Sequence, residues 1–183
     1  MRIDHLAFRV LNRHKAANFF CSALKYQKST DFRVDFKDGT NAKCFVMTPP
    51  ERKQWDSHLV LPWALKSPIL GASSIYHQPP EVFISQGSPG SIVDRWVAEN
   101  GNRLHHVALQ VDNIEEVKNE WEDLGFAEFS SPEILQCPGL KQIFTKPSDL
   151  TGFIWELIER EPGEQGFCNE NVKNLMLSST ERD

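Results

Sequence analysis

The sequence lacks a long hydrophobic run and an excess of basic residues, and each absence excludes a class of protein. No apolar stretch approaches the roughly 20 residues that a membrane-spanning helix needs. Lys and Arg number 20 against 25 Asp and Glu, so the net charge is -5 and no basic stripe is available for nucleic-acid phosphates. The chain is therefore predicted to bind neither membranes nor nucleic acid.

Closely spaced cysteines are also missing. No Cys-x-x-Cys pair of the kind found in structural zinc sites is present, and this pattern favours reduced thiols over a disulfide framework. The first residues carry charges at Arg2 and Asp4, so we predict no secretory signal peptide and expect a cytoplasmic protein. The four cysteines are Cys21, Cys44, Cys137 and Cys168.

The most informative pattern that is present occurs twice. Ile3–Val10 (IDHLAFRV) align with Leu104–Val111 (LHHVALQV), and the alignment places His5 on His106. In each half, an apolar β-type run is followed by a helical pattern and then by further short β-type runs. Such self-similarity within one chain predicts two copies of one structural unit.

The two copies define the expected organisation of the chain. The fold class is predicted to be α+β, with two tandem modules of one strand, one helix and about three further strands. Residues 1–100 form the first module, which includes a long loop over residues 49–80 and a linker helix over residues 91–100. Residues 101–160 form the second module, and residues 161–183 form a C-terminal lid or tail. A proline-spotted loop of this length is typical of a lid or a substrate loop.

His5 and His106 stand out because they occupy equivalent positions in the repeat. Side chains alternate along a strand, so each histidine shares a face with a small residue, Ala7 or Ala108, that leaves room for a bound group. A single histidine of this kind is more often a hydrogen-bonded core residue. Two of them related by a pseudo-twofold axis would meet at that axis. His105 is the neighbouring alternative, and strand alternation places it on the opposite face.

Glu156 is the third candidate, because it lies within the apolar segment Gly152–Ile158. A buried carboxylate must be paired, protonated or bound to a cation, since burial of an unpaired charge costs several kcal/mol. A buried salt bridge is the alternative. Together with His5 and His106, this carboxylate would form the facial triad that suits non-haem Fe(II) and leaves coordination positions open. Manganese, cobalt, nickel or zinc would also fit these ligands.

Three segments resemble the vicinal oxygen chelate superfamily (glyoxalase, bleomycin resistance and dioxygenase proteins). Within it they are most similar to the C-terminal half of 4-hydroxyphenylpyruvate dioxygenase. The resemblance implies two βαβββ modules around an open-barrel cavity, closed by a C-terminal lid helix. It also implies that Fe(II) is held by His5, His106 and Glu156, that the 2-oxo acid group of the substrate chelates the iron, and that O₂ takes the remaining position. The segments are Ile3–Leu6, Leu140–Arg160 and Gly166–Val172.

The same resemblance implies roles for further residues. Gln142 would be a substrate-contacting amide, Phe144 an aromatic wall, and Phe167 part of the helix that closes over the site and excludes water. The sequence departs from the family at Ser91, where the family has a glutamine, and at Val172, where it has a phenylalanine that stacks on the substrate ring. The resemblance therefore supports an aryl 2-oxo acid or a similar small chelating substrate better than 4-hydroxyphenylpyruvate itself.

Two other functions stay open. Ser88–Trp96 and Leu104–His106 resemble methylmalonyl-CoA epimerases, which, like glyoxalase I, take a fourth metal ligand from the first module. That ligand is expected near Val82–Ser85, where no acid or amide stands, and Glu81 would serve only if the alignment slipped by one position. A non-enzymatic small-molecule-binding protein is the third possibility, and it would not need the triad. Modules of this kind often pair across subunits, so a homodimer is a further expectation.

Overall fold

The computed structural model of the chain describes residues 1–50, 80–162 and 166–178. Most of the loop predicted over residues 49–80, and part of the tail predicted over residues 161–183, lie outside the described residues. None of the described helices is long and apolar enough to cross a membrane.

In each half, the described elements follow the order of one strand, one helix and three strands that the repeat predicts. They are β1 (Arg2–Arg9), α1 (Arg13–Leu24), β2 (Gln27–Asp35), β3 (Asn41–Thr48), β4 (Glu81–Gly87), α2 (Ile92–Asn100), β5 (Arg103–Gln110), α3 (Ile114–Asp123), β6 (Leu135–Cys137), β7 (Leu140–Phe144), β8 (Ile154–Arg160) and α4 (Asn169–Ser178).

The strands form one eight-stranded mixed sheet in the order β2-β3-β4-β1-β5-β8-β7-β6. The first strands of the two copies, β1 and β5, lie side by side and antiparallel at its centre. Each of them also pairs in parallel with the last strand of its own copy, β1 with β4 and β5 with β8. The predicted α+β fold of two βαβββ modules is therefore confirmed, and the sheet curls into a half-barrel.

Equivalent asparagines begin the helices that follow β1 and β5. The side-chain oxygen of Asn12 accepts a hydrogen bond from the Lys15 amide at 2.9 Å, and that of Asn113 accepts one from the Glu116 amide at 3.1 Å. This N-capping satisfies backbone donors that have no partner within the helix. The two caps are thus part of the repeat, in the sequence and in the structure.

Helix α2 begins differently, with Ser91 as its N-cap. The Ser91 hydroxyl accepts a hydrogen bond from the Asp94 amide at 3.2 Å, and Ser91 itself is buried. The Ser91 side chain therefore acts as the N-cap of α2. This explains a serine at the position where the resemblance expects a glutamine.

The two faces of the sheet have different environments because side chains alternate along each strand. On one face, Val82 and Ile84 pack with residues of α1, while Leu157 packs with Ile114 of α3. On the other face, Phe83 packs with Val172 and Met176 of α4. Helix α4 therefore covers the inner face of the half-barrel, where the candidate site lies.

The prediction that the cysteines are reduced is wrong for one pair. Cys137 in β6 and Cys168, just before α4, form a disulfide across a sequence separation of 31 residues. Cys21 and Cys44 are free. The fold brings the edge strand next to the start of α4, a proximity that sequence spacing does not reveal. Because disulfides are typical of oxidising compartments, the cytoplasmic location loses the support of its cysteine argument and stays a prediction.

Candidate metal centre

His5, His106 and Glu156 lie together on the three central strands, β1, β5 and β8. The Nε2 atoms of the two histidines are 3.3 Å apart. The Oε2 atom of Glu156 is 3.2 Å from the Nε2 of His5 and 3.1 Å from that of His106. Donors about 2.1 Å from one ion are themselves about 3.0–3.4 Å apart in octahedral or tetrahedral geometry. The three donor atoms thus have the spacing that a single divalent ion requires.

Strand register explains why these residues meet. Ala108 pairs with His5 on one side and with Glu156 on the other, while His106 pairs with Ala7. The alanine side chains are the smallest that carry a Cβ atom, so they leave space between the larger polar groups. Ala7 lines the same cavity as the two histidines, whereas Ala108 packs against Leu140 and Ile158.

The electrostatics of the site favour a cation. Burial alone raises the pKa of Glu156, but the adjacent His5 and His106 hold that pKa well below its usual range. Burial lowers the pKa of His5, yet the negative charges of Glu156 and Asp4 and their hydrogen bonds raise it to about 9. Burial also lowers the pKa of His106, against the effect of Glu156. Glu156 is thus a carboxylate, and a proton on His5 competes with any metal ion.

Each histidine is oriented by the residue that precedes it. The Nδ1 atom of His5 donates to Asp4 Oδ1 at 2.8 Å, and Asp4 accepts hydrogen bonds from Arg160 at 2.9 and 3.0 Å. The Nδ1 atoms of His106 and His105 lie 2.8 Å apart, within hydrogen-bond distance. Because Nδ1 is engaged in both rings, the two Nε2 atoms face each other. Partners of this kind fix the tautomer and orientation of metal-binding histidines.

Two β-bulges produce this arrangement. The register between β1 and β5 shifts between Ile3 and His5, where Asp4 is the extra residue, and between Ala7 and Phe8, where His105 is the extra residue of β5. A bulge breaks strict alternation and re-aims a side chain. The prediction that His105 lies opposite His106 is therefore wrong, and both rings line the same cavity.

Gln142 is next to the triad, and its contacts are with the protein. Its Nε2 atom donates to Glu156 Oε1 at 2.5 Å, and its Oε1 atom accepts from Asn171 Nδ2 of α4 at 3.1 Å. All three side chains are buried. The amide that the resemblance assigns to substrate contact thus holds the carboxylate of Glu156 in one orientation.

The two predicted aromatic residues also line the cavity. The ring centroid of Phe144 is 4.7 Å from that of His106, and the ring centroid of Phe167 is 4.9 Å from that of His5. Phe167 lies just before α4, not on the helix as the resemblance implies. Helix α4 contributes three apolar side chains to the lining of this cavity: Val172, Leu175 and Met176.

The first module supplies an apolar residue at the position equivalent to Glu156. Within the second module, the residue that pairs with Ala108 in β8 is Glu156, and within the first module the residue that pairs with Ala7 in β4 is Phe83. Glu81 pairs with His5 instead. Among residues 1–50, 80–162 and 166–178, the group of potential ligands at the site consists of His5, His106 and Glu156.

Sequence reasoning missed three polar residues of the site: Asp4, Asn171 and Arg9. Arg9 could have been found, because it has the same alternation as His5 and Ala7 along β1. Asp4 was not apparent, because alternation places it on the face opposite His5 and only the bulge brings the two together. Asn171 required the position of α4.

Comparison with known proteins identifies a family that matches most of the chain. The Glyoxalase/Bleomycin resistance protein/Dioxygenase superfamily pattern matches residues 4–136. A comparison with curated protein sequences gives no significant match.

Solved structures share the fold at low sequence identity. A mutant 4-hydroxymandelate synthase from Streptomyces coelicolor is 17% identical with a TM-score of 0.72, and the alignment covers 100% of this chain and 54% of that one. The chain thus spans about half the length of that enzyme. A methylmalonyl-CoA epimerase is 19% identical with a TM-score of 0.59, over 88% of this chain and 96% of that one. The Mycobacterium tuberculosis epimerase is 12% identical with a TM-score of 0.59, over 88% and 89% of the two chains.

Proposed function

The chain belongs to the Glyoxalase/Bleomycin resistance protein/Dioxygenase superfamily, and we propose that it is an Fe(II)-dependent oxygenase whose ligands are His5, His106 and Glu156. Two imidazoles and one carboxylate are the donor set of non-haem Fe(II) oxygenases, and their spacing fits one ion. Bound iron would supply open coordination positions for a chelating 2-oxo acid and for O₂.

The observation that carries this proposal is the apolar residue at the fourth-ligand position. An epimerase or lyase of this superfamily would need a fourth donor from β4, at the place equivalent to Glu156. That place holds Phe83, whose ring contacts Phe167 with a centroid distance of 5.1 Å. A three-ligand centre leaves more coordination positions for substrate and O₂ than a four-ligand centre does.

The protein's own residues orient the ligands. The Asp4 carboxylate can only accept a hydrogen bond, so it keeps a hydrogen on Nδ1 of His5 and directs the Nε2 lone pair of the neutral ring towards the site. Arg160 holds Asp4 in place. Gln142 donates to one oxygen of Glu156 and thereby directs the other towards the two histidines. Hydrogen bonds with Asp4 and Gln142 therefore fix the orientations of His5 and Glu156.

The cavity walls exclude water and limit the size of the substrate. Phe83, Phe144 and Phe167 surround the triad with aromatic surface, and α4 closes the inner face. Exclusion of water protects reactive oxygen chemistry from side reactions. The aromatic walls and the chelating donor set together favour a small 2-oxo acid as the substrate.

Oxygen consumption tests the proposal. The metal-free protein is loaded anaerobically with Fe(II), and O₂ uptake is followed with a panel of 2-oxo acids. We expect uptake that depends on both iron and substrate and is lost in Glu156→Ala. The matched variant Glu81→Gln should retain it, because Glu81 is not in the ligand group.

The competing epimerase or lyase function predicts the opposite pattern. Turnover of methylmalonyl-CoA or of a hemithioacetal, combined with no O₂ uptake on any 2-oxo acid, would refute the oxygenase proposal. A loss of metal binding in Glu81→Gln would point in the same direction, because it would reveal a fourth ligand.

A further inference from the structure

The disulfide between Cys137 and Cys168 joins two parts of the molecule that meet at the candidate metal centre. Cys137 is the last residue of β6, which pairs with β7, the strand that carries Gln142 and Phe144. Cys168 directly precedes α4, the helix that covers the inner face of the sheet. The bond closes a loop over a sequence separation of 31 residues, so it limits how far the start of α4 can move from β6.

The residue next to Cys168 in the chain covers one of the candidate metal ligands. The ring centroid of Phe167 is 4.9 Å from that of His5. Arg160 holds the same short segment, because its Nη1 atom donates to the Gly166 carbonyl at 2.7 Å and its guanidinium lies 5.6 Å from the Phe167 ring centroid. A displacement of the Phe167 backbone away from His5 must also displace Cys168, and the disulfide opposes that movement.

A row of side chains connects the disulfide with the carboxylate ligand. Asn171 Oδ1 lies 3.2 Å from Cys137 Sγ, and Asn171 Nδ2 donates to Gln142 Oε1 at 3.1 Å. Gln142 in turn donates to Glu156 Oε1. A disulfide sulfur carries no hydrogen to donate to the Asn171 oxygen, whereas the thiol of a reduced Cys137 does. Reduction therefore changes a contact of the side chain that supports Gln142.

The disulfide is placed where a reductant can act on it. Cys137 and Cys168 are both partly exposed, and they line a second pocket together with Pro138 and Leu140. A thiolate of a dithiol reductant attacks one sulfur and forms a mixed disulfide, which the second thiol of the reductant then resolves. Two electrons and two protons pass to the protein, so that two cysteine thiols and one oxidised dithiol result.

We propose that Cys137 and Cys168 form a redox-active pair that controls access to the metal cavity. In the oxidised form the bond holds Phe167 and the first turn of α4 over the ligands. In the reduced form this end of α4 separates from β6, the cavity opens, and a bound ion exchanges faster. The ion belongs to the proposed function, on which this part of the inference rests, whereas the movement of α4 does not depend on the ion.

Amide hydrogen exchange measures the opening without any metal. The metal-free wild type is compared before and after treatment with dithiothreitol, which is removed by anaerobic desalting, and alkylation after denaturation counts the thiols. We expect two thiols before reduction and four after it, because Cys21 and Cys44 are free. Exchange within α4 should become about 10–100-fold faster on reduction. Exchange in the central strands β1 and β5 should not change, which distinguishes a local opening from a general loss of stability.

Metal release connects the opening with the cavity. Co(II)-loaded protein in each form is mixed with an excess of chelator, and we expect cobalt transfer to be about 10-fold or more faster from the reduced form. The double variant Cys137→Ser/Cys168→Ser should match the reduced wild type with or without dithiothreitol, and it excludes cobalt binding by the new thiols. The control Cys21→Ser removes a free cysteine of α1 and should keep the difference between the two forms.

The outcomes separate the two proposals. Four thiols in the untreated protein would overturn the role of the pair, and so would exchange in α4 that is unchanged by reduction or rises equally in β1 and β5. Equal rates of cobalt release from the two forms would also overturn it, because the cavity would not depend on the pair. If neither form binds cobalt, the proposed metal function is overturned, and amide exchange alone decides whether the disulfide holds α4 in place.

Discussion

Metal binding at the triad should release about one proton near neutral pH, because the ion and the proton on His5 compete for the same Nε2 atom. Burial opposes the protonation of His5, but Glu156 and Asp4 raise its pKa to about 9. His106, whose pKa is lowered, contributes no proton in this range. The apparent affinity should therefore follow the fraction of neutral His5 up to about pH 9.

The size of the effect follows from that pKa. Between about pH 6.5 and about pH 8.5, the neutral fraction of a group with a pKa near 9 rises about 80-fold, whereas that of an ordinary histidine near 6.5 rises only about twofold. The apparent dissociation constant for Co(II) should fall by a similar factor over this range. Calorimetric titration in two buffers of different ionisation enthalpy measures both the affinity and the proton count. A dissociation constant that changes less than about threefold, with no proton released, would show that no proton competes with the ion at His5.

Three further predictions concern the groups around the site. Asp4→Asn should weaken metal binding by about 10–100-fold, because His5 loses the partner that orients its ring, and competition against a chelator measures this. The metal-free protein should lose stability as pH rises from 6.5 to about 9: the raised pKa of His5 stabilises the fold below 6.5, and that contribution disappears as the ring deprotonates. Urea denaturation at several pH values checks this, and a constant midpoint would contradict it. Cys168→Ser should cost about 2–4 kcal/mol in the free energy of unfolding, since the disulfide closes a loop over a separation of 31 residues. Unchanged unfolding with and without a reductant would show that the bond is absent in solution.

The repeat made the centre of the fold predictable. Because His5 and His106 occupy equivalent places, the sequence alone could put both on adjacent central strands, and the structure has that arrangement. The N-caps of the two helices that follow, Asn12 and Asn113, are predictable for the same reason, because they also occupy equivalent places. Local patterns that occur twice are informative because the two copies must satisfy the same backbone geometry.

Departures from regular strand geometry were not predictable. Alternation placed His105 away from the cavity, and the bulge that reverses this depends on how β1 and β5 pair. The equivalence of Phe83 and Glu156 likewise needs the pairing of β4 and β8 with their neighbours.

Contacts between distant segments were also not predictable from the sequence. The Cys137–Cys168 bond and the hydrogen bond from Asn171 to Gln142 both depend on where α4 packs. That packing is set by the inner face of the sheet as a whole, so no local pattern encodes it. Arg9, in contrast, was predictable from the sequence, because it shares the strand alternation of His5 and therefore the face that lines the cavity.

We propose that His5, His106 and Glu156 together hold one divalent ion. Stoichiometric metal analysis after anaerobic loading and desalting tests it, on the wild type, on Glu156→Ala and on the matched control Glu81→Gln. We expect one ion per chain in the wild type and in Glu81→Gln, and loss of the ion in Glu156→Ala. Stoichiometric metal in Glu156→Ala would show that the triad does not hold the ion.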